Sequence, residues 1–241
     1  MSEQKAIIIG ASSGIGKELA KELSRRGYTL GLAARREELL AELRGELAPP
    51  AYIRRMDVSQ PVSARQVLQE LLAEMGDVEL VVINAGISKH KASWEEEQQT
   101  IDTNVAGFVA LARVAMDYFT RRGAGHLVGI SSVAGLRGFG ISAAYCASKA
   151  FISMYMQALR QKSTRLGLNI AVTDIRPGFI DTPLISGRKY PFWVVSAETA
   201  ARQIYTAIRK RKRLAYVPRR WRPVAWLLKA LPDWLFIRLP V

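Results

Sequence analysis

Cysteine and long apolar runs are nearly missing from this chain. Cys146 is the only cysteine among 241 residues, so an internal disulfide is excluded, and a lone thiol suits a reducing compartment. The first apolar stretch, residues 6–9, is too short for the core of a signal peptide. No run reaches the roughly 18 apolar residues that a membrane-spanning helix needs. We therefore expect a cytoplasmic protein that is soluble or lies peripherally on a membrane surface.

Histidine and acidic residues are also scarce. His90 and His126 are the only histidines, and with one cysteine they make no recognisable metal site. The chain has 21 acidic and 35 basic residues, which gives a net charge of +14. Ten of these net charges lie in residues 199–241, where eleven basic residues accompany a single acid, Asp233. Three of the five tryptophans lie in the same segment: Trp221, Trp226 and Trp234.

Short apolar runs alternate with segments of helical period along the chain. Strands that alternate with helices of ten or more residues imply right-handed crossovers and a parallel sheet covered on both faces. A late helix is predicted to begin near Ser196, and residues 214–217 add a seventh strand. The sequence thus predicts a Rossmann-like, doubly wound α/β domain over residues 1–217, followed by a C-terminal tail, residues 218–241. The other predicted strands are residues 6–9, 28–33, 52–56, 80–83, 126–130 and 169–175.

A glycine-rich turn follows the first predicted strand. It reads Gly10-Ala11-Ser12-Ser13-Gly14-Ile15-Gly16 and leads directly into a helical pattern. Glycines let the backbone turn sharply and approach a pyrophosphate, whose charge is met by the amides of a helix N-terminus. A plain tight turn is the alternative. The position between a strand and a helix favours a dinucleotide site.

Two arginines follow the second predicted strand. Arg35 stands 19 residues after Gly16, with Arg36 beside it, where an NAD-selective enzyme is expected to carry an acid for the ribose 2′-hydroxyl. Guanidinium groups suit a 2′-phosphate instead, so NADP(H) is the expected cofactor. The alternative is that both arginines only begin the next helix in solvent.

A tyrosine and a lysine open one of the predicted helices. Tyr145 and Lys149 are four residues apart and share a helix face, so the ammonium can lower the pKa of the phenol toward neutral pH. Such a tyrosine can act as a general acid or base. Ser132 follows the preceding strand, where its hydroxyl could hold a carbonyl oxygen. By itself this tyrosine and lysine spacing is common by chance.

Together these residues resemble the short-chain dehydrogenase/reductase family over nearly all of residues 5–217. The resemblance implies a catalytic set of four: Asn104, Ser132, Tyr145 and Lys149. It implies a cofactor site that also uses Tyr145 and Lys149, and whose other residues are Gly10, Ser12, Ser13, Gly14, Ile15, Gly16, Arg35, Arg36, Asp57, Val58, Asn84, Ala85, Gly86, Pro177, Gly178, Ile180 and Thr182. Three positions depart from the usual family pattern: Ile9, Ser13 and Ile83.

The resemblance also implies the reaction. A hydride would pass between the nicotinamide of NADP(H) and a carbonyl or alcohol carbon, most readily as carbonyl reduction, while Tyr145 exchanges the proton of the oxygen. Lys149 would hold the nicotinamide ribose, Ser132 would orient the substrate oxygen, and Asn104 would position a proton-relay water. Structural alternatives remain for two of them, with Asn104 as a packing residue and Ser132 as a strand-end cap. Family members commonly form homodimers or homotetramers.

Two further questions stay open at the level of sequence. The first is whether the chain catalyses at all, since dinucleotide folds also serve as non-catalytic NADP-binding regulatory proteins; the intact serine, tyrosine and lysine argue against this. The second is the substrate. In the family, residues 183–195 close over the substrate, and this substrate loop holds five large apolar side chains, which predict an apolar ligand: Leu184, Ile185, Tyr190, Phe192 and Trp193.

The tail allows two interpretations. Val224, Leu227, Leu228 and Leu231 follow the spacing of one helix face, so a short amphipathic helix is predicted after Pro223. With interfacial tryptophans and basic residues, this composition is typical of a segment that lies in the headgroup region of an anionic membrane, and residues 209–241 would form the contact. The alternative is a tail folded over the substrate cleft or across a dimer interface. No DNA-binding pattern is present, so no nucleic-acid partner is expected.

Overall fold

Seven parallel strands form the central sheet of the computed structural model, which describes residues 4–48, 51–185 and 193–238. The strand order is β3-β2-β1-β4-β5-β6-β9, so the chain winds outward in both directions from β1. This confirms the doubly wound α/β prediction. The strand bounds are β1 Lys5–Ile9, β2 Thr29–Ala34, β3 Ala51–Arg55, β4 Leu80–Ile83, β5 Ala124–Ile130, β6 Asn169–Pro177 and β9 Leu214–Val217. A separate short parallel pair joins β7 (Ile180–Asp181) to β8 (Val195–Ser196).

Helices cover both faces of the sheet. Successive strand residues point to opposite faces, so Ile8 packs into one core with α1, α2 and α7, while Ile7 and Ile9 pack into the other with α3, α5 and α6. A π-helical turn, Asp102–Gly107, joins α4 to α5. The helix bounds are α1 Gly14–Arg25, α2 Glu37–Gly45, α3 Pro61–Met75, α4 Trp94–Ile101, α5 Phe108–Arg122, α6 Ala143–Arg165, α7 Ala197–Arg209, α8 Trp221–Ala230 and α9 Asp233–Phe236.

The parallel arrangement of the strands determines where the candidate site lies. All seven strands end at the same edge of the sheet, and the order reverses between β1 and β4, where a crevice opens in folds of this type. The loops that follow β1, β4, β5 and β6 meet there. These loops carry the predicted motifs.

Helix α7 and strand β9 confirm two of the sequence predictions, the helix start near Ser196 and the strand at residues 214–217. Ser196 caps α7 by accepting a hydrogen bond from the amide of Thr199 at 3.2 Å. Strand β9 has the predicted bounds and pairs with β6 from Asp174 to Pro177. Among the described residues, no helix combines the length and the apolar composition that crossing a membrane requires.

The tail packs against the sheet edge with a face different from the one predicted. Helix α8 begins at Trp221, with Pro223 inside its first turn, where proline is tolerated. Trp221 and Ala225 are buried, whereas Leu227 is 64% exposed. The predicted single face of Val224, Leu227, Leu228 and Leu231 is therefore wrong for Leu227, because burial of Trp221 sets the rotation of the helix.

Candidate active site

The glycine-rich turn after β1 forms a close-packed loop, which we call the glycine loop (residues 10–16). Gly10 has a φ of +89°, and a Cβ there would lie 2.6 Å from the amide nitrogen of Ala85. A Cβ on Gly16 would overlap the carbonyl of Gly10. Side chains are thus excluded at both positions. Helix α1 starts within this loop, at Gly14, so its unpaired amides lie where a phosphate would be bound.

A cleft of about 330 Å³ opens beside the glycine loop. Twelve of the predicted cofactor residues line it: Gly10, Ser12, Ser13, Gly14, Ile15, Arg35, Arg36, Val58, Asn84, Ala85, Gly86 and Thr182. Five more residues, which the motifs did not indicate, line the cleft at the carboxyl ends of the strands and in the loops beyond them: Ile9, Ala34, Met56, Ile87 and Thr103. The remaining walls are Pro183 and Leu184 from the substrate loop.

Arg36 lies across the glycine loop. Its guanidinium donates to the hydroxyls of Ser12 at 3.0 Å and Ser13 at 2.9 Å. Arg36 also occupies the residue just before α2, without capping it through its side chain, so it both precedes a helix and faces the cleft. Lys17, a cation in the first turn of α1, pairs with Glu46 at 3.3 Å. The structure thus places a guanidinium, rather than the lysine, beside the two serines.

Two motifs at the cleft serve the fold as well. Asp57 accepts hydrogen bonds from the amide and hydroxyl of Ser59, at 3.0 and 2.7 Å, and is absent from the cleft walls, while its neighbour Val58 is present. Asn84 donates to the carbonyl of Gly10 at 2.8 Å. This bond ties the loop after β4 to the glycine loop.

Lys149 is buried next to Gly86, one of the residues that line the cleft. Its Nζ donates to the carbonyl of Ile130 at 3.0 Å, and a Cβ on Gly86 would lie 3.1 Å from that nitrogen. Burial lowers the pKa of the Lys149 ammonium to about 8, while the carboxylate of Asp174 acts in the opposite direction. The nitrogen lies 5.7 Å from the centre of the Tyr145 ring.

Asp174 lies near Lys149, and no sequence motif indicated it. It is buried in β6, accepts a short hydrogen bond from Ser131, and pairs with Arg176 at 2.8 Å. Strand pairing of β5 with β6 brings it near Lys149. An acidic residue inside an apolar strand was the only available signal, and its partner depends on the strand register.

Ser132 lies just after β5 and is buried. Its Oγ accepts from the amide of Ala134 at 3.1 Å and donates to the carbonyl of Pro177 at 3.4 Å. The first of these bonds is the cap considered at the level of sequence. The second ties the end of β5 to the end of β6.

Asn104 is fully buried in the π-helical turn. Its Oδ1 accepts from the amide of Ile87 at 2.9 Å, and its Nδ2 donates to the carbonyl of Ile87 and to Ser148 Oγ. These bonds hold the loop after Gly86 against α6. The structural alternative for Asn104 therefore describes part of its role, and π-helical turns of this kind often occur at functional sites.

The loop after β6 closes the substrate side. A Cβ on Gly178 would overlap the indole of Trp221 from the tail, and Phe179 meets the same indole edge-on at 5.1 Å between ring centres. Trp193 packs on Trp221 at 6.0 Å. Ile180 is buried in β7, and Thr182 reaches the cleft. Residues 186–192 of the substrate loop, including Tyr190 and Phe192, lie outside the described residues.

Comparison with known proteins agrees with this geometry. The sequence model of the short chain dehydrogenase family matches residues 4–189. An uncharacterized oxidoreductase of Mycobacterium tuberculosis is 33% identical over 243 aligned positions, covering 96% of this chain and 95% of that protein. An NADP-dependent 3-hydroxy acid dehydrogenase of Escherichia coli is 32% identical over 179 positions, covering 72% and 71%.

A solved structure gives the same result. The closed form of a serine dehydrogenase complexed with NADP⁺ superposes with a TM-score of 0.76 at 27% identity, covering 85% of this chain and 88% of that one. The fold, the order of the motifs and these relatives lead to one conclusion. The chain belongs to the short-chain dehydrogenase family.

Proposed function

We propose that this protein is an NADPH-dependent oxidoreductase that reduces a carbonyl group on an apolar substrate. One observation carries this proposal: the buried ammonium of Lys149 lies beside the ring of Tyr145 and next to Gly86, a residue that lines the cleft bordered by the glycine loop. A proton donor and a dinucleotide site thus share one edge of the sheet.

The described residues fit NADP(H). The glycine loop leaves no room for side chains where a pyrophosphate would approach α1, and Arg36 presents a guanidinium beside Ser12 and Ser13, where a 2′-phosphate can be bound. NADP occurs in the name of the Escherichia coli relative and in the serine dehydrogenase complex. Both support the choice of NADP(H) over NAD(H).

In this proposal the bound nicotinamide supplies the hydride, and the residues of the chain handle the proton. Tyr145 donates its phenolic proton to the substrate oxygen, while the nearby charge on Lys149 makes the phenol a stronger acid. Ser132 orients the carbonyl oxygen, and Asn104 holds the surrounding loop in place through Ile87. Lys149 also binds the ribose.

The described part of the substrate side is apolar and aromatic. Leu184 lines the cleft, and Trp193 and Val194 are 38% and 43% exposed next to the buried Trp221. A smaller cavity of about 110 Å³ adjoins Tyr145, and its walls are mixed, with Lys89, Lys91 and Glu97 beside Ile141 and Ala144. The support for an apolar substrate therefore comes from Leu184, Trp193 and Val194, whose surfaces suit an aliphatic or aromatic carbonyl compound.

A panel of aldehydes and ketones, with NADPH oxidation followed by absorbance, tests this function. We expect turnover that rises with the apolar character of the substrate. Tight NADPH binding without turnover of any member would favour the alternative, a non-catalytic NADP-binding regulatory protein.

We also propose that the protein acts in the cytoplasm as a homo-oligomer, with a peripheral membrane contact through its tail. Four large apolar side chains are exposed on α4 and α6, which supports an interface there: Trp94, Ile101, Phe151 and Met154. Sedimentation analysis tests assembly, and Met154→Glu is expected to shift an oligomer toward the monomer.

A further inference from the structure

One side of the tail is already used by the fold. Trp221 is buried against Gly178, and Phe236 packs edge-on against Phe139 at 5.5 Å. Arg137 holds both tail helices: it donates to the carbonyls of Leu228, at 2.7 Å, and Leu231, and pairs with Asp233 at 3.3 Å. The tail is therefore a folded element of stable position, and its inner face needs no further partner.

The opposite side of the tail exposes large apolar residues in an unusual concentration. Trp226 is 68% exposed, Leu227 64%, Trp234 60% and Ile237 73%. With Leu235 they form what we call the outward tail surface. These five residues lie within a stretch of twelve, so they form a local apolar patch of the kind that marks an interaction site.

Basic residues surround this patch, and their charge is unbalanced. The basic residues between positions 219 and 238 are exposed: Arg219, Arg220, Arg222, Lys229 and Arg238. The one acid among them, Asp233, is matched by Arg137. Arg222, Trp226 and Lys229 follow the spacing of one helix face, so cations and an indole project together.

The structure divides the basic segment into two groups. Strand β9 spans four residues, about 13 Å at roughly 3.3 Å per residue. Residues 209–213 precede its amino end, whereas residues 219–238 follow its carboxyl end, where the cleft opens. The first group adjoins one exposed large apolar residue, Leu214, at 39%, whereas the second shares its stretch with five.

We infer that the outward tail surface, with its ring of basic residues, docks on an anionic lipid surface. Tryptophan, leucine and isoleucine suit the boundary between headgroups and acyl chains, and the cations pair with lipid phosphates. A second copy of the chain is a poorer occupant, because a symmetric contact would bring the basic residues of one copy, such as Arg222 and Lys229, against the basic residues of the other. Nucleic acid is also a poorer occupant, because it offers no apolar surface to the exposed leucine and isoleucine side chains.

Docking in this way orients the cleft. Arg220 lies over the ring of Trp193 at 5.5 Å, so the substrate loop adjoins the docking surface. The exposed side chains of Trp193 and Val194 extend the apolar surface toward the cleft. A lipid-soluble carbonyl compound then reaches the site directly from the bilayer, a consequence that rests on the proposed function, whereas lipid binding itself does not.

Vesicle co-sedimentation of the full chain, without substrate or cofactor, tests the inference. The probes are vesicles of phosphatidylglycerol and phosphatidylcholine in equal parts, and of phosphatidylcholine alone, each at low and high salt. We expect binding to the anionic vesicles that high salt weakens. Trp226→Ala with Trp234→Ala should lower the partition constant at least about tenfold, and Arg222→Gln with Lys229→Gln about 30-fold at low salt.

Matched controls lie elsewhere on the chain. Val62→Ala removes an apolar side chain that is 84% exposed on α3, away from the proposed oligomer interface, and Arg209→Gln with Lys210→Gln removes two charges at the other end of β9. Both are expected to retain binding within about threefold, and unfolding curves of all variants show whether each is folded. Three results would overturn the inference: no binding of the parent chain to anionic vesicles at low salt, equal losses in the controls, or salt-sensitive binding to random DNA in place of vesicles.

Discussion

The Nζ of Lys149 lies 5.7 Å from the centre of the Tyr145 ring, one helical turn away on α6. The same nitrogen donates to the carbonyl of Ile130 at the end of β5, so helix and strand together determine its position. Burial removes water from the ammonium, which strengthens its electrostatic effect on nearby groups. The pair therefore brings a buried ammonium close to a phenol ring, which is the basis of the proposed role of Tyr145.

The first prediction concerns the proton donor. Tyr145→Phe removes the ionisable hydroxyl with little change in volume, so reductase activity should fall by at least about 100-fold while the fold persists. Tyr155→Phe is a control on the same helix, where a partly buried ring stacks on Phe151, and should keep activity within about twofold. Activity of Tyr145→Phe close to that of the parent would remove Tyr145 from this role.

The second prediction concerns cofactor choice. Arg36 lies beside Ser12 and Ser13, and Arg35 lines the same cleft, so Arg35→Ala with Arg36→Ala should erase most of the preference for NADPH over NADH in binding measurements. Lys17→Ala should leave the preference intact, because that lysine is engaged by Glu46. A double variant that still discriminates strongly would show that another group binds the phosphate.

Local spacing allowed much of the site to be predicted. Two of the motifs are local. Gly10 and Gly16 lie in one turn, and Tyr145 and Lys149 lie on one helix, so their spacing in the sequence determines how close they are in space. A doubly wound parallel sheet follows from alternating elements and right-handed crossovers, and the structure has this arrangement.

Contacts that depend on strand register could not be predicted from the sequence. Asp174 approaches Lys149 only because β6 pairs with β5. The tail shows the same limit. Its apolar spacing predicted a helix, but the rotation of that helix depends on Trp221 meeting Gly178, a contact between residues 43 positions apart.

The third prediction tests that contact. Gly178→Ala places a methyl group where the buried indole of Trp221 lies, so overpacking should lower the free energy of unfolding by about 1–3 kcal/mol and speed proteolysis of the tail. Gly138→Ala, at a position with open space around it, is the control. Adding Trp221→Leu to Gly178→Ala should recover part of the loss, and strictly additive losses would contradict the contact.

The last prediction concerns His126, which is buried in β5. Its Nε2 lies 2.8 Å from Thr173 Oγ1, and that hydroxyl donates to the carbonyl of Lys212. The neutral imidazole ring therefore donates to Thr173, which accepts. Burial, with a smaller contribution from Arg211, lowers the pKa of His126 to about 4 from 6.5. Between these two values the unfolded chain binds a proton that the folded chain does not, so stability falls as the pH falls through this window.

A His126→Gln variant isolates this effect. Urea unfolding of parent and variant, at about pH 7 and about pH 4.5, gives the difference in their free energies of unfolding at each pH. Carboxylates titrate alike in both proteins, so the advantage of the parent over the variant should shrink by about 2–3 kcal/mol at the lower pH. An advantage that stays the same at both values would mean that His126 is protonated in the folded protein as easily as in the unfolded chain, contrary to its burial.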